Sequence, residues 1–138
     1  MGLVDSERAL TGKGEKQAAQ MAKWLRARMP EDAAVLVSPA VRAQQTARAL
    51  TSKFKTMTEI GVAASAEGVL RAAGWPDAEG TVVVVGHQPT LGEAAALLLT
   101  GKKQGWALKK GAVVWVARDA DDAHPATELR AAISPGLL

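Results

Sequence analysis

The chain has 138 residues, a formal net charge of +3 at pH 7 and no cysteine. This length suits one domain with its own hydrophobic core and is too short for two. The composition excludes disulfides and thiolate metal sites, and no apolar run is long enough to span a membrane. We therefore expect a single cytoplasmic domain over residues 1–138.

The first part of the chain alternates helix and strand patterns. Apolar residues recur on one helical stripe between Thr11 and Pro30, which predicts an amphipathic helix. Residues 34–37, Ala-Val-Leu-Val, form a short apolar run that is typical of a buried strand. Ser38 suits the N-cap of a second helix and Pro39 its first position, so we expect that helix to begin there.

The clearest strand pattern lies in the second half of the chain. An irregular stretch at residues 56–65 and a modest helix at 66–73 precede residues 81–85, which read Thr-Val-Val-Val-Val. Such a run buries its branched side chains only when sheet partners and helices cover both sides. We therefore expect an interior parallel strand, followed after residues 86–89 by another helix.

Two more strand patterns lie near the C-terminus. Val113–Val116 predicts one strand, and Thr127–Ile133 predicts a second that returns antiparallel to it. The acidic residues 119–122 would then be the hairpin connection. The order of elements predicts an α/β fold of three layers, αβα, with a mostly parallel sheet, helices on both faces and an antiparallel C-terminal edge.

Two corners between a strand and a helix carry residues suited to phosphate chemistry. In open α/β sheets ligands bind beyond the carboxyl ends of the strands. Arg42 lies in the opening turn of a helix, and its planar guanidinium can bind a phosphoryl group through two parallel hydrogen bonds. His87 ends an apolar strand and can donate a hydrogen bond or carry charge beside a phosphoryl oxygen. The alternatives are a solvated helix arginine and a histidine that is satisfied by backbone carbonyls.

Together these corners resemble the histidine phosphatase superfamily, and most closely its SixA-type phosphohistidine phosphatases. The similarity lies in the segments Arg8–Thr11, Val35–Pro39 with Arg42-Ala43 and Gln45-Thr46, Val84–Pro89, and Ile133–Pro135. The resemblance implies a phosphoglycerate mutase-like fold. It also implies a two-step transfer, in which a histidine attacks phosphorus and water then hydrolyses the phosphohistidine. Arg42 and His87 would be catalytic and bind the phosphoryl group with Gln88, and neither a metal nor another cofactor is expected.

The same resemblance indicates that one element of the family fold is missing from this sequence. Family members begin with a central strand that ends in an Arg-His motif and supplies the nucleophile, and no such pair precedes Arg8 in this sequence. His124 lies in an acidic turn, and we expect a surface role for it. We therefore expect no turnover by the chain as given, and we expect either a start assigned too far downstream or a shortened chain.

The missing strand should leave a gap in the sheet. The resemblance places it between the strands at 35–37 and 82–85, so those two strands would close onto each other or accept a strand exchanged from a second copy, as a homodimer. The acid that protonates the leaving group is unassigned. Glu67 and Glu93 are candidates by their order along the chain, but Glu93 fits a polar helix position and Glu67 a partner of the helix dipole.

Three functions are compatible with the sequence. The first is a phosphatase that acts on a phosphohistidine-bearing protein in signal transduction, and the second is a non-catalytic module that binds phosphate or a phosphoprotein. The third is general anion or nucleic-acid binding through the lysines at 102, 103, 109 and 110, for which a solvated loop is the simpler interpretation. Because the basic residues are scattered and aromatic residues are few, we expect no nucleic-acid partner and no membrane partner.

Overall fold

The computed structural model describes residues 4–118 and 126–138. The helices are α1 (Gly12–Arg26), α2 (Val41–Leu50), α3 (Ala66–Ala73) and α4 (Thr90–Thr100). The strands are β1 (Ala34–Val37), β2 (Lys55–Thr56), β3 (Val82–Val85), β4 (Val113–Arg118) and β5 (Thr127–Ile133). Short 3-10 turns are formed by Asp5–Glu7, Thr58–Ile60 and Pro135–Leu137.

The strands form a parallel sheet and an antiparallel pair. β1 is central in the parallel sheet and lies between β2 and β3. β4 pairs antiparallel with β5, and among the described residues neither of them pairs with the parallel strands. The predicted α/β fold with a parallel sheet is confirmed, and the predicted antiparallel C-terminal strands form a separate pair rather than an edge of that sheet.

The sheet agrees with one predicted alternative and differs from the prediction in one respect. β1 and β3 pair directly along their length, with Val37 opposite Val85, so the two strands are closed onto each other as one of the alternatives for the missing strand predicts. The difference is that β3 is an edge strand rather than an interior one among the described residues, and its valines are only partly buried. The prediction of an interior strand was wrong because a run of branched residues indicates only that both faces of the strand are buried by other elements. It does not report whether both edges have a strand neighbour.

Two smaller predictions also need comment. The strand β2 ends at Thr56, the first residue of the stretch that we expect to be irregular, and its two exposed residues carry no periodicity that could have predicted a strand. The acidic connection at 119–122 and His124 lie outside the described residues.

The helices form two pairs about the parallel sheet, as a three-layer fold requires. α1 packs against α2, and their small buried side chains contact Val35 and Val37 of β1. The buried core here consists of Ala22, Val35, Val37, Ala40, Ala43, Ala47 and Leu50. α3 packs against α4 and contacts β3, and an edge-to-face contact of Trp24 with Trp115 joins α1 to β4 with ring centroids 6.5 Å apart.

No helix within residues 4–118 and 126–138 has the length and apolar character needed to cross a membrane.

Candidate functional site

The two predicted corners meet at one edge of the sheet. Because β1 and β3 are adjacent, parallel and in register, their carboxyl ends lie side by side. Ser38 directly follows β1, and its N–H donates to the carbonyl oxygen of Val85 at 3.0 Å. His87 follows β3 after Gly86, where a Cβ would come within 3.2 Å of Ile60. His87 therefore follows β3 at the same edge of the sheet as the β1 corner.

Ser38 has a different role from the one that the sequence predicts. The N-cap of α2 is Ala40, so the prediction that Ser38 caps the helix was wrong. Ser38 is fully buried, and its Oγ accepts a hydrogen bond from the Ala40 N–H at 3.1 Å. The same oxygen lies 2.7 Å from Nε2 of His87. The hydroxyl therefore connects the two corners, because a buried hydroxyl requires partners and the imidazole is the one at hand.

Arg42 and His87 lie side by side. Nη2 of Arg42 is 3.3 Å from Nδ1 of His87, although the residues are 45 positions apart in the sequence. A guanidinium has only hydrogen-bond donors, so Nδ1 must be the acceptor in this contact. We therefore assign the ring hydrogen to Nε2, which donates it to Oγ of Ser38.

The surroundings of His87 favour its neutral form. The side chain is buried, with 9% of its surface exposed. Burial and, after it, the positive charge of Arg42 lower the pKa of His87 below its usual 6.5, while the negative charge of Asp5 opposes this shift. His87 is thus neutral at pH 7, and it would have to take up a proton before Nδ1 could donate to a phosphoryl oxygen.

Asp5 is the residue of this site that sequence reasoning missed. Nη1 of Arg42 donates to the backbone carbonyl of Asp5 at 2.6 Å, and Nη2 donates to Oδ2 at 2.8 Å. Nη2 of Arg8 donates to Oδ1 of the same carboxylate at 2.9 Å. These hydrogen bonds, the one from Arg42 first, lower the pKa of Asp5. A single aspartate in a segment without periodicity carries no signal that could have predicted this position.

The segment that carries Asp5 is attached to α2 at a second point. The N–H of Leu10 donates to Oε1 of Gln45 at 2.7 Å. Both Leu10 and Gln45 belong to segments on which the family resemblance rests. The N-terminal segment thus lies along the start of α2 rather than away from the site.

Gln88, the third predicted site residue, has both ends of its amide engaged by the protein. Its Oε1 accepts from the N–H of Gly92 at 2.6 Å, and its Nε2 donates to the carbonyl of Trp106 at 3.1 Å. These bonds join the start of α4 to the loop that follows the helix. The role of Gln88 in substrate binding stays a prediction.

Glu67 is poorly suited to protonate a leaving group. Its Oε1 lies 3.1 Å from Nζ of Lys103, in the lysine-bearing loop. A hydrogen bond from its own backbone N–H and then the contact with Lys103 lower the pKa of Glu67. A carboxyl group with a lowered pKa is ionised at neutral pH and cannot donate a proton, which leaves Glu93 as the other acid named from the sequence.

A shallow cavity of about 400 Å³ opens beside the site. It is lined by Ser6, Ser38, Pro39 and Ala40 on one side and by the loop at residues 58–64 on the other. This space is next to the Ser38 corner and could receive the part of a ligand that extends beyond its anionic group. Across the described ranges, no group of three or more metal-ligating side chains has the geometry to hold a metal ion.

Fold and site together define an α/β protein with an arginine and a histidine joined at the carboxyl edge of its parallel sheet. Residues 2–64 match the model of the histidine phosphatase superfamily (branch 1). The structure of the protein histidine phosphatase SixA complexed with tungstate aligns with 99% of this chain and 90% of its own chain, at a TM-score of 0.76 and 24% identity. At that identity the likeness shows a shared fold. The chain therefore has a SixA-like fold, and its residues 2–64 are similar to the histidine phosphatase superfamily.

Two curated proteins of Mycobacterium tuberculosis are also similar in sequence. They are uncharacterized protein MT1313 of strain CDC 1551 / Oshkosh and uncharacterized protein Rv1276c of strain ATCC 25618 / H37Rv. Each is 33% identical over 111 residues, which cover 70% of this chain. The match spans 63% of the length of these relatives.

Proposed function

We propose that this chain is the phosphoryl-binding part of a SixA-like phosphohistidine phosphatase, in which Arg42 and His87 hold the transferring group. The nucleophilic histidine is absent from the chain as given, and the polypeptide alone therefore does not turn over substrate. The observation that carries the proposal is the 3.3 Å contact between Nη2 of Arg42 and Nδ1 of His87 at the carboxyl edge of the sheet. The tungstate complex of the SixA protein with the same fold supports it, because tungstate is a tetrahedral oxyanion like phosphate.

The chemistry of phosphoryl transfer explains why these two groups belong together. Negative charge on the equatorial oxygens must be stabilised in the transition state, and fixed cationic donors do this without reorganisation. Arg42 supplies a permanent charge. His87 supplies a second donor once a bound phosphoryl dianion has raised its pKa and protonated Nδ1.

His87 itself is badly placed to be the nucleophile. Its Nε2 is 2.7 Å from Oγ of Ser38, and its Nδ1 lone pair faces the guanidinium of Arg42. Attack on phosphorus needs a free lone pair in line with the leaving group, and misplacement costs orders of magnitude in rate. In the complete reaction a separate histidine nitrogen forms a bond to phosphorus as the bond to the substrate's imidazole breaks. The leaving imidazole keeps a proton, and water then cleaves the phosphohistidine.

The proposed partner is a phosphohistidine-bearing protein of cytoplasmic signal transduction. Phosphohistidine suits the site because imidazole leaves readily when protonated, so a weakly defined acid such as Glu93 is sufficient. A strand-exchanged homodimer belongs to the same proposal, since β3 has a strand neighbour on one side only among the described residues. An added strand at that edge would pair with groups that otherwise lack a ladder partner.

The alternative is a binding module that holds a phosphate or phosphoprotein without hydrolysing it. The specific observation in its favour is that both nitrogens of His87 are engaged in contacts while the contact of His87 with the cationic Arg42 is intact. Both functions need the same pair, and they differ only in turnover.

The proposal is tested by measuring binding and turnover separately. Calorimetry with orthophosphate and with tungstate should show binding by the chain, a loss of at least tenfold for Arg42→Lys, and no change for the matched control Arg48→Ala, which lies on the exposed face of the same helix. Arg42→Lys keeps the charge but loses the two parallel hydrogen bonds. Steep salt dependence with indifference to Arg42 would favour the lysine loop instead.

A phosphohistidine hydrolysis assay completes the test. The chain alone should be inactive, and the chain extended by an N-terminal strand that carries Arg-His should be active. Oxyanion binding without turnover in the extended protein would favour the binding module. Robust turnover by the chain alone would contradict the proposal that its nucleophile is missing.

A further inference from the structure

Asp5 fills the guanidinium fork that the proposed function assigns to a phosphoryl group. Nη1 of Arg42 donates to the carbonyl of Asp5, and Nη2 donates to its carboxylate, at 2.6 and 2.8 Å. Carboxylate and phosphoryl groups present oxygens to a guanidinium in the same paired geometry. A ligand oxygen that approaches Arg42 from this side would therefore meet Asp5 first.

The carboxylate of Asp5 also joins a second guanidinium to the site. Its Oδ1 accepts from Nη2 of Arg8 at 2.9 Å, so the anionic group lies between Arg8 and Arg42. The carboxylate is thus paired with two guanidinium groups, and its charge also acts on His87, which contacts Arg42 at 3.3 Å. A doubly charged oxyanion at the same point would contact both guanidinium groups and lie close to His87.

We propose that Asp5 is an internal occupant of the oxyanion site, which a phosphoryl group must displace, and that Arg8 is a second cation that then binds the displacing anion. This inference rests on the proposed phosphoryl site at Arg42 and His87. It adds a competing group within the chain and a binding residue beyond those that the motif supplies.

The exposure of the pair makes displacement feasible. The side chains of Asp5 and Arg8 are 49% and 65% exposed, and that of Arg42 is 29% exposed. Exposed ion pairs stabilise their paired state only weakly. At the upper end of the range of measured stabilisation, the paired state is favoured roughly fivefold. An internal competitor that occupies the site to this extent weakens the apparent affinity for an external anion by about the same factor.

The experiment compares orthophosphate binding by calorimetry, at one ionic strength, in the unmodified chain, Asp5→Asn and Glu7→Gln. Glu7 is the matched control because it lies in the same exposed turn, so its substitution removes one negative charge without touching Arg42. We expect Asp5→Asn to bind about fivefold more tightly and Glu7→Gln to stay within about twofold of the unmodified chain. Asp5→Ala should behave as Asp5→Asn does.

Each outcome separates this inference from the proposed function. Equal affinity of the unmodified chain and Asp5→Asn, with binding still lost in Arg42→Lys, would overturn the role of Asp5 and leave the phosphoryl site intact. A complete lack of phosphate binding in all variants would instead count against the phosphoryl site itself. In the Asp5→Asn background, Arg8→Ala should weaken binding at least threefold, and an unchanged affinity there would remove Arg8 from the site.

Discussion

Replacing Ser38 with alanine removes the hydroxyl that connects the two corners of the site. This side chain is fully buried, and its Oγ accepts from the Ala40 N–H at 3.1 Å and from Nε2 of His87 at 2.7 Å. Leaving a buried donor unpaired costs about 1 to 3 kcal/mol, and Ser38→Ala leaves two such donors. Partial relaxation offsets some of the loss, so we expect the free energy of unfolding to fall by about 2 kcal/mol.

Urea unfolding followed by tryptophan fluorescence measures this loss. The matched control is Thr46→Val, since the Thr46 hydroxyl only donates to the carbonyl of Arg42 one turn earlier in the same helix, and its removal leaves no buried donor unpaired. If Ser38 has a purely structural role, its substitution changes only the free energy of unfolding. If Ser38 also positions His87, its substitution changes the pKa of His87 as well, which NMR titration measures. Because the Ser38 oxygen stabilises the protonated ring more than the neutral one, Ser38→Ala should lower the pKa of His87 further. A destabilisation below about 0.5 kcal/mol, or an unchanged pKa of His87, would refute the reasoning.

Two further predictions concern the surroundings of the site. Gly92→Ala would drive a Cβ into the carbonyl of Trp106, which should lower the free energy of unfolding by about 1 to 3 kcal/mol. The control Gly105→Ala places its Cβ in open space and should change the melting temperature little. A melting temperature of Gly92→Ala equal to or above that of the unmodified chain would count against this packing. Because the folded-state pKa of His87 lies below 6.5, the unfolded chain binds its proton first on acidification, so stability should fall as the pH drops from about 6.5 toward that lower value. His87→Gln should flatten the fall in urea unfolding measured across this pH window, and an equal slope in that variant would contradict the assignment.

The local pattern of residues was enough to predict most elements and the two functional corners. The helix at Ala66–Ala73 and the strand at Thr127–Ile133 have the bounds that their periodicity predicts. Arg42 and His87 could be selected because each lies at a corner between a strand pattern and a helix pattern, and ligand sites in α/β sheets lie at such positions. Periodicity reports which faces of an element need burial, and these predictions needed nothing more.

What the tertiary structure alone decided is which groups become neighbours. The direct pairing of β1 with β3 brings Arg42 within 3.3 Å of His87, and it places β3 at an edge that its sequence does not reveal. Ser38 finds its imidazole partner 49 positions away, and Asp5 reaches Arg42 across 37. A buried hydroxyl or an ion pair takes its partner from whatever chain segments the packing brings together, so these contacts leave no periodic trace in the sequence.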